Sequence, residues 1–305
     1  MRNFAAAAIV VSCAWIAGCA TSLRDRLTLP GRFAVSQHDL LVHSDFPLPP
    51  RHRLFDDLQL LRADLARALN LPEMGEPIHI YVFESPERFS AFVNLHHPSF
   101  PERRAFFVET DTRLMVYAQW GDRLAEDLRH EATHAYLHAV VPAIPLWLDE
   151  GLAEYYEVPR SATGINVPHL ERLASRIRAG AWQPDLRRLE SIPPDAELSQ
   201  DDYAECWAWI HFLLDEAATR GQIVQAYLDE LRRTGRAREV ASQVESADPH
   251  ATEALVEHVL QLALQHRAMG FRGRSLRGGG EGGRGRAPIA AAFSAGPVFR
   301  GRPRE

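Results

Sequence analysis

The spacing of apolar residues changes along the chain and predicts two kinds of structure. The segment RFAVSQHDLLVHSDFP, residues 32–47, contains two short extended runs around a polar turn, which is typical of a β-hairpin. The next segment has leucines at helical spacing with charged residues between them, which predicts an amphipathic helix. These leucines are Leu54, Leu58, Leu61, Leu65 and Leu69.

The mixed pattern continues up to residue 120. PIHIYVFES, residues 77–85, predicts a strand, and SPERFSAFVNLH, residues 85–96, predicts a helix because serine followed by proline is a common helix start. RAFFVET and RLMVYAQW, which flank residues 110–112, predict a second hairpin. From Gly121 onward almost every segment has helical periodicity. The sequence therefore predicts an α+β fold, a small mixed β-sheet with helices followed by a helical half.

The first residues have the pattern of a secretory signal. One positive residue, Arg2, precedes an apolar run over residues 4–17 that is too short to stay in a bilayer as a spanning helix. The run ends in IAGC, residues 16–19, which resembles a bacterial lipobox, where an aliphatic and two small residues precede a cysteine that is lipidated. A plain signal peptide or a buried apolar strand is the alternative.

The lipobox resemblance implies a membrane-anchored protein of the bacterial cell envelope. The signal peptide would span residues 1–18, Cys19 would carry the lipid, and residues 19–30 would form a tether. Ala20 is not the aspartate that commonly retains such proteins at the inner membrane, which favours the outer membrane. Cys206 would then be the last free thiol of the mature chain, so we expect no intrachain disulfide.

The C-terminal residues 267–305 are rich in Gly, Arg, Pro and Ala and have no sustained periodicity. Such a composition cannot bury enough apolar surface to offset the entropy of ordering, so we predict that this segment is disordered. Its net charge is +7 in a chain of −6, which leaves about −14 for the rest once Arg2 is also excluded. A solvated extension is favoured over one that binds anionic lipid or envelope polymer, and a nucleic-acid partner is not expected.

The segment LRHEATHAYLH, residues 128–138, carries the candidate chemistry. Residues four apart on a helix share a face, so His130 and His134 can both direct an imidazole nitrogen to one metal ion. Glu131 lies one position round the helix, where a carboxylate can accept a proton from water at the metal. The five-residue pattern alone arises by chance in roughly a few per cent of such chains, so it does not establish a metal site. A zinc site also requires a third protein ligand.

A third ligand is offered by PLWLDEGLAEYYE, residues 145–157, in which Glu150 and Glu154 lie one helical turn apart. Here the chain resembles the gluzincin metallopeptidases, in which HExxH is followed by a second helix with a glutamate ligand in an Asn-Glu-Gly or Asn-Glu-Ala context. WLDEGLAEY is especially similar to bacterial peptidase-MA-like domains. The chain departs from that pattern at Asp149, which replaces the usual Asn, and in a short gap of 15 residues after His134.

The gluzincin resemblance implies a role for each residue that matches the motif. His130 and His134 would be zinc ligands, Glu131 the general base and Glu150 the third ligand. Glu154 would be the carboxylate that orients the first histidine. An exchange in which Glu154 is the ligand remains open, and so does a helix pair whose His and Glu side chains only form surface ion pairs.

The resemblance also implies a Tyr or His from the helical half that stabilises the negative charge of the tetrahedral intermediate. In DDYAECWAWIHFLLDE we favour Tyr203 over His211, which lies on a similar face. The alternative is that Tyr203 only packs on Trp207. We expect three other histidines to be polar surface or satisfied core residues and not ligands: His96, His97 and His138.

These patterns predict a lipid-anchored, Zn²⁺-dependent metallopeptidase that acts on a protein or peptide substrate. The resemblance implies a thermolysin-like architecture over residues 31–266, with residues 113–120 as an edge strand to which an extended peptide adds. Two alternatives are a zinc hydrolase of a non-peptide cell-wall amide and a catalytically silent envelope protein that only binds or scaffolds. The intact Glu131 argues against the silent protein, since zinc binding alone requires no base.

Overall fold

The computed structural model describes residues 28–49, 51–215, 220–275 and 299–300. The predicted signal peptide, Cys19 and most of the predicted tether and of the predicted tail lie outside these ranges. Within them, no helix has the length and apolar character needed to cross a membrane.

A mixed β-sheet dominates the first half of the chain. Its strands are β1 (Phe33–Gln37), β2 (Leu40–Ser44), β3 (Ile78–Phe83), β4 (Ala105–Thr110) and β5 (Arg113–Gln119). They lie in the order β1-β2-β3-β5-β4, with the two-residue strand β6 (Phe299–Arg300) beside β4. The pairs β1–β2 and β4–β5 are antiparallel, which confirms both predicted hairpins, and β3 pairs in parallel with β2 and β5.

Helices form most of the second half, which confirms the predicted α+β class. The described helices are α1 (Arg53–Leu69), α2 (Pro86–His96), α3 (Leu124–His138), α4 (Leu146–Tyr156), α5 (Val167–Arg178), α6 (Leu186–Glu190), α7 (Gln200–Asp215), α8 (Gly221–Thr234), α9 (Val240–Ala247) and α10 (Ala251–Ser275), with a 3-10 turn at Arg160–Ala162. The predicted tail begins at residue 267, within α10, so the helical part extends further than the composition indicated.

The prediction that residues 113–120 form a sheet edge is wrong. β5 is paired on both sides, and Val116 at its centre faces neighbours in β3 and in β4. Its apolar residues are buried on both faces of the sheet, which is typical of a central strand. On this side β4 lies outside β5, and among the described residues it pairs further only with the two-residue β6, at Val108 and Glu109.

Helices cover both faces of the sheet. On one face, α2 packs through Phe89 against Phe83 and Phe106. This helix begins as predicted, because the Ser85 hydroxyl accepts a backbone N–H of the first turn and Pro86 follows it. On the other face lie α1 and α3, with the core between them and the strands.

The helix α3 has a central position that makes it suitable for holding a site. It contacts β4 and β5 on one side, α1 on another and α4 on a third. A short linker over residues 139–145 connects it to α4, and Ala143 in this linker has a left-handed φ of 54°. The short gap noted in the sequence is thus closed by a tight turn, which brings the two helices together.

Candidate metal centre

The helix α3 directs two histidines toward α4. His130 and His134 lie one turn apart on one face, while Leu128, Ala132 and Ala135 pack into the core with none of their surface exposed. Both imidazoles are buried, and a buried polar ring costs free energy unless it has partners.

The helix α4 brings Glu150 to the same place because it packs closely on α7. A Cβ at Gly151 would lie 2.7 Å from the Cys206 carbonyl oxygen and 2.7 Å from the Ile210 side chain, so this position requires glycine. The preceding residue, Glu150, is fully buried, and its carboxylate faces the two histidines.

Three side-chain atoms converge between α3 and α4. Nε2 of His130 and Nε2 of His134 are 3.2 Å apart, and Oε2 of Glu150 is 3.6 Å from the first and 3.7 Å from the second. A point about 2.0 Å from all three atoms exists, which matches the zinc–nitrogen and zinc–oxygen bond lengths of proteins. These residues form a buried group that could hold a metal ion.

The outer nitrogens of both imidazoles face carboxylates. Nδ1 of His130 is 3.0 Å from Oε2 of Glu157. Nδ1 of His134 is 3.0 Å from Oδ1 of Asp149, but these two atoms are not aligned as a hydrogen bond. A carboxylate favours a proton on the nitrogen that faces it, so the lone pair of each Nε2 points toward the centre of the group.

The carboxylate of Glu150 lacks a partner that its burial demands. Neither of its oxygens has a hydrogen-bond donor among the described residues, although none of its surface is exposed. A buried carboxylate without donors is costly, and two imidazole lone pairs aimed at it increase the cost. A cation at this position removes both penalties, so the donor set fits a metal.

The role predicted for Glu154 is corrected, because Glu157 is the residue that contacts the first histidine. Oε2 of Glu154 is 2.8 Å from Nε2 of His169 and accepts a hydrogen bond of 3.1 Å from Asn166. Asn166 also donates to Glu157 at 2.8 Å. Glu154 is thus held by the start of α5, and with His130 and Glu157 it forms a second buried group that could hold a metal ion.

The sequence pattern did not single out Glu157, Asn166 or His169. The spacing does indicate Glu157, because this residue follows Glu150 by seven positions and therefore lies on the same helical face. Asn166 and His169 come from beyond the turn after α4, and no local spacing relates them to the motif.

A chain of contacts leads from His134 to the edge strand β4. Oδ2 of Asp149 is 2.9 Å from Nε2 of His138, and Nδ1 of His138 is 2.8 Å from Oε2 of Glu109. Burial lowers the pKa of His138, but the charges of Asp149 and Glu109 outweigh it and raise this pKa to about 9. Burial also opposes ionisation of Asp149, yet the two histidines hold its pKa well below the usual range. His138 is therefore a bridge between carboxylates.

Glu131 lies beside the group and lines a cavity of about 410 Å³ between α2, the start of β4 and α3. His130, Glu154 and Glu157 line the same cavity. Burial raises the pKa of Glu131, while the charges of the neighbouring histidines oppose this shift. A raised pKa brings a carboxylate closer to the basicity that suits a proton acceptor at neutral pH.

The two candidates for charge stabilisation lie in different places. The Tyr203 hydroxyl is buried with no hydrogen-bond partner among the described residues, and burial together with the charge of Glu150 raises its pKa. His211 instead places its Nδ1 2.9 Å from Nε2 of His258 on α10, and burial and that neighbour lower its pKa to about 4. Tyr203 is near the group, whereas His211 belongs to a separate helix contact.

His96 and His97, which were not expected to be ligands, lie on the face of the sheet that α2 covers. His97 stacks on Phe100 and packs against Tyr117, and His96 packs against Phe92. Burial lowers the pKa of His97, and the charge of His96 adds to the effect. Neither belongs to a metal-capable group within the described part of the chain.

Residues 125–235 match a protein family described as "Protein of unknown function (DUF1570)". The matched segment starts at the second residue of α3, includes α4, and ends just after α8. No curated protein matches the chain. The candidate centre thus lies inside the segment that this family shares.

Proposed function

We propose that this chain is a zinc-dependent metallopeptidase of the gluzincin type. The observation that carries the proposal is the convergence of His130, His134 and Glu150 at bond-compatible distances, with Glu131 beside them in a cavity. Two imidazole nitrogens and one carboxylate are a ligand set of catalytic zinc sites, which keep a further position open for water or substrate.

Zinc is the metal that this donor set favours among common divalent ions. Imidazole suits zinc well, whereas magnesium and calcium prefer sites built from oxygen atoms alone. Zinc bound there supplies Lewis acidity, which lowers the pKa of water and polarises a carbonyl group. The carboxylates of Glu157 and Asp149 keep both imidazoles in the tautomer and orientation that binding requires.

The protein's own residues then account for proton transfer. Glu131 accepts a proton from the attacking water, because its carboxylate is buried, has a raised pKa and faces the cavity. It next delivers that proton to the leaving nitrogen as the peptide bond breaks. Tyr203 is the proposed donor to the negative carbonyl oxygen, since its buried hydroxyl has no hydrogen-bond partner within the described residues.

The edge strand β4 offers a place for the substrate backbone. Its N-terminal residues lead directly into the cavity that Glu131 lines, and β6 pairs only with Val108 and Glu109. An extended peptide can add through main-chain hydrogen bonds to the N-terminal part of β4, which no described strand pairs with on its outer side.

We further propose that the domain acts while attached to a membrane of the cell envelope. The supporting feature is the lipobox-like IAGC, in which Cys19 would carry the lipid and residues 1–18 would be removed. Substitution Cys19→Ser is expected to abolish incorporation of labelled palmitate and to move the protein from the membrane to the soluble fraction. Retention of the label would refute the anchor without affecting the proposed chemistry.

Zinc content and cleavage, measured on the same full-length samples, test the proposed chemistry. Wild-type protein should contain about one zinc per chain, Glu150→Ala should lose it, and Glu154→Ala serves as the comparison one turn away. With casein or a peptide library, Glu131→Gln should retain zinc and lose activity roughly a hundredfold to ten-thousandfold.

Each outcome of this experiment separates one alternative from the others. Zinc loss in Glu154→Ala alone would exchange the two glutamates. Zinc without cleavage of any peptide would favour a non-peptide amide or a silent binding protein, and absence of zinc from the wild type would refute the metallopeptidase.

A further inference from the structure

A groove at one end of the sheet has no part in the proposed chemistry. It has a volume of about 430 Å³, and most of its lining comes from the segments that follow β2 and β5. Five of its lining residues are apolar: Phe46, Pro47, Leu48, Pro49 and Trp120. We call it the aromatic groove.

Trp120 forms an exposed wall of this groove. Its ring packs edge-to-face on Phe46 with 4.9 Å between the ring centres, yet 40 % of the residue remains exposed. Leu48 beside it is only half-buried. A cluster of exposed apolar side chains is more typical of a contact surface than single exposed residues are.

The chain enters the domain beside the aromatic groove. The carbonyl oxygen of Thr28 accepts a hydrogen bond of 3.3 Å from Nη2 of Arg88. Nε of the same buried arginine is 2.9 Å from Oδ2 of Asp45, and Phe46 is the next residue. Arg88 therefore holds the first described residue of the predicted tether close to the groove. Leu29, which follows it, is 37 % exposed.

The rest of the predicted tether is short compared with the domain. Cys19 and Thr28 are nine positions apart, so even an extended chain spans at most about 30 Å between them. A domain that covers residues 31–266 is roughly 45 Å across. A lipid on Cys19 would thus prevent the domain from turning the side that carries Thr28 away from the membrane.

The cavity that Glu131 lines begins at the same end of the sheet as the groove. The backbone N–H of Gln119, the last residue of β5, donates to the carbonyl oxygen of Arg104 at 3.0 Å. Arg104 lines the cavity, and Trp120 follows Gln119 directly. A membrane in contact with the groove would therefore lie close to one end of the cavity.

We propose that the aromatic groove rests on the lipid headgroup region of the membrane that holds the anchor. Tryptophan favours this region because it combines a large apolar ring with an N–H donor. Phe46 and Leu48 are half-buried beside it and would enter the same layer. The inference rests on the proposed lipid anchor at Cys19, and it holds the proposed catalytic cavity near the membrane surface.

The charges indicate which lipids the groove contacts. Glu84 is the one carboxylate among the described residues of the lining, and the chain outside the tail has a net charge of about −14. Both disfavour anionic lipid, whose surface attracts basic segments. The contact should therefore be apolar and should form on zwitterionic lipid.

Fluorescence quenching on full-length, lipidated protein tests this contact without metal or turnover. The protein is reconstituted in vesicles of phosphatidylethanolamine and phosphatidylcholine, part of which is brominated near the headgroup end of its acyl chains. Bromine quenches tryptophan only at close range. Three other tryptophans are buried in the core: Trp147, Trp207 and Trp209. The wild type should therefore be quenched chiefly through Trp120.

Two matched variants assign the quenching to a residue. Trp120→Phe should lose most of it, while the new ring can still pack on Phe46. Trp182→Phe should be quenched like the wild type, because Trp182 is half-buried away from the groove and donates to Glu205 at 3.1 Å. Circular dichroism checks that both variants are folded.

Equal quenching of Trp120→Phe and the wild type would overturn the proposal, and so would absence of quenching in the wild type. The palmitate label on Cys19 reports the anchor separately. Label without quenching would refute the groove contact alone, whereas absence of the label would refute the anchor and this proposal with it. Neither measurement depends on zinc or cleavage, so failure of the peptidase function remains distinguishable.

Discussion

At the scale of single residues, each proposed ligand histidine uses its two ring nitrogens for different partners. Nε2 faces the metal position, while Nδ1 faces Glu157 in the case of His130 and Asp149 in the case of His134. The carboxylate fixes the tautomer and increases the basicity of the coordinating nitrogen. Zinc affinity should therefore depend on residues that never touch the metal.

Glu157→Gln tests this dependence. Zinc affinity is expected to fall about 10- to 100-fold, because the amide no longer supplies the negative charge that supports the Nδ1–H of His130. Competition with a chelator of known affinity measures the change. Glu171→Gln, an exposed carboxylate on α5, is the control and should bind zinc like the wild type. Equal affinity of Glu157→Gln and the wild type would contradict the assigned contact.

His138 should make the stability of the metal-free protein depend on pH. Its pKa is raised from 6.5 to about 9, so the folded state holds this proton more tightly than the unfolded chain. The resulting stability is fully present below pH 6.5 and is lost as the pH rises to about 9. Relative to His138→Gln, the free energy of unfolding should fall on the order of 3 kcal/mol across this window.

Urea unfolding of both proteins in the presence of a chelator, at several pH values, measures this difference. A difference that stays constant from pH 6 to pH 9.5 would show that the proton on His138 is not held by Asp149 and Glu109.

The residues nearest in sequence were the ones that could be predicted. His130, Glu131 and His134 share one helix, and Glu150 lies a short linker away, so helical spacing brings them together before any tertiary structure is known. Asn166, His169 and Glu109 come from other elements, and only the tertiary packing of these elements decides which partner each contacts. Hydrogen-bond partners across elements have no periodicity that a single sequence displays.

At the scale of elements, the site depends on how closely α4 approaches α7. The backbone of α4 at Gly151 is in contact with the Cys206 carbonyl oxygen and with Ile210, and Glu150 is the residue immediately before it. Any side chain at Gly151 would separate the two helices or rotate α4, and both movements would shift the Glu150 carboxylate away from the histidines.

Gly151→Ala should destabilise the protein by about 1–3 kcal/mol, because a methyl group must be inserted against backbone that cannot move freely. It should also weaken zinc binding. Gly121→Ala is the matched control, since a Cβ there meets nothing within 4 Å. Chemical denaturation and a chelator competition measure the two effects, and an alanine variant as stable as the wild type would show that the helix contact is not limiting.

The order of the strands was harder to predict than their positions. Alternating apolar residues located the two hairpins, because that pattern is local. The placement of β5 between β3 and β4 depends on the parallel pairing of β3 with β5, which are separated in sequence by α2 and β4. The pattern of RLMVYAQW is equally compatible with a central strand and with an edge strand. For the same reason the sequence predicted that β5 forms the sheet edge, whereas β4 and the two-residue β6 lie outside it.

At the scale of the whole molecule, the buried ionisable groups should make stability depend on a metal bound at the proposed site. Four ionisable residues are buried close together: His130, Glu150, Glu154 and Glu157. Neither carboxylate oxygen of Glu150 has a hydrogen-bond donor among the described residues. The unfolded chain exposes these groups to water, so a ligand that binds only the folded state contributes its binding free energy to stability.

Zinc should therefore raise the thermal stability of the wild type. Free zinc at a thousandfold excess over its dissociation constant contributes about 4 kcal/mol, which corresponds to roughly 10 °C in Tm for a domain of this size. Scanning calorimetry with zinc and with a chelator measures the shift. The Glu150→Ala variant should show little shift, and an equal shift in both proteins would indicate that zinc binds elsewhere.

The contacts from His134 through Asp149 and His138 to Glu109 end on β4, the strand to which we propose that an extended peptide adds. If a peptide binds to that strand and a metal binds at the proposed centre, the two binding equilibria should be linked. A peptide that displaces the Glu109 carboxylate from His138 alters the charge that supports His134, and so alters the affinity for zinc. Thermodynamic reciprocity requires that zinc alter the affinity for that peptide by the same factor.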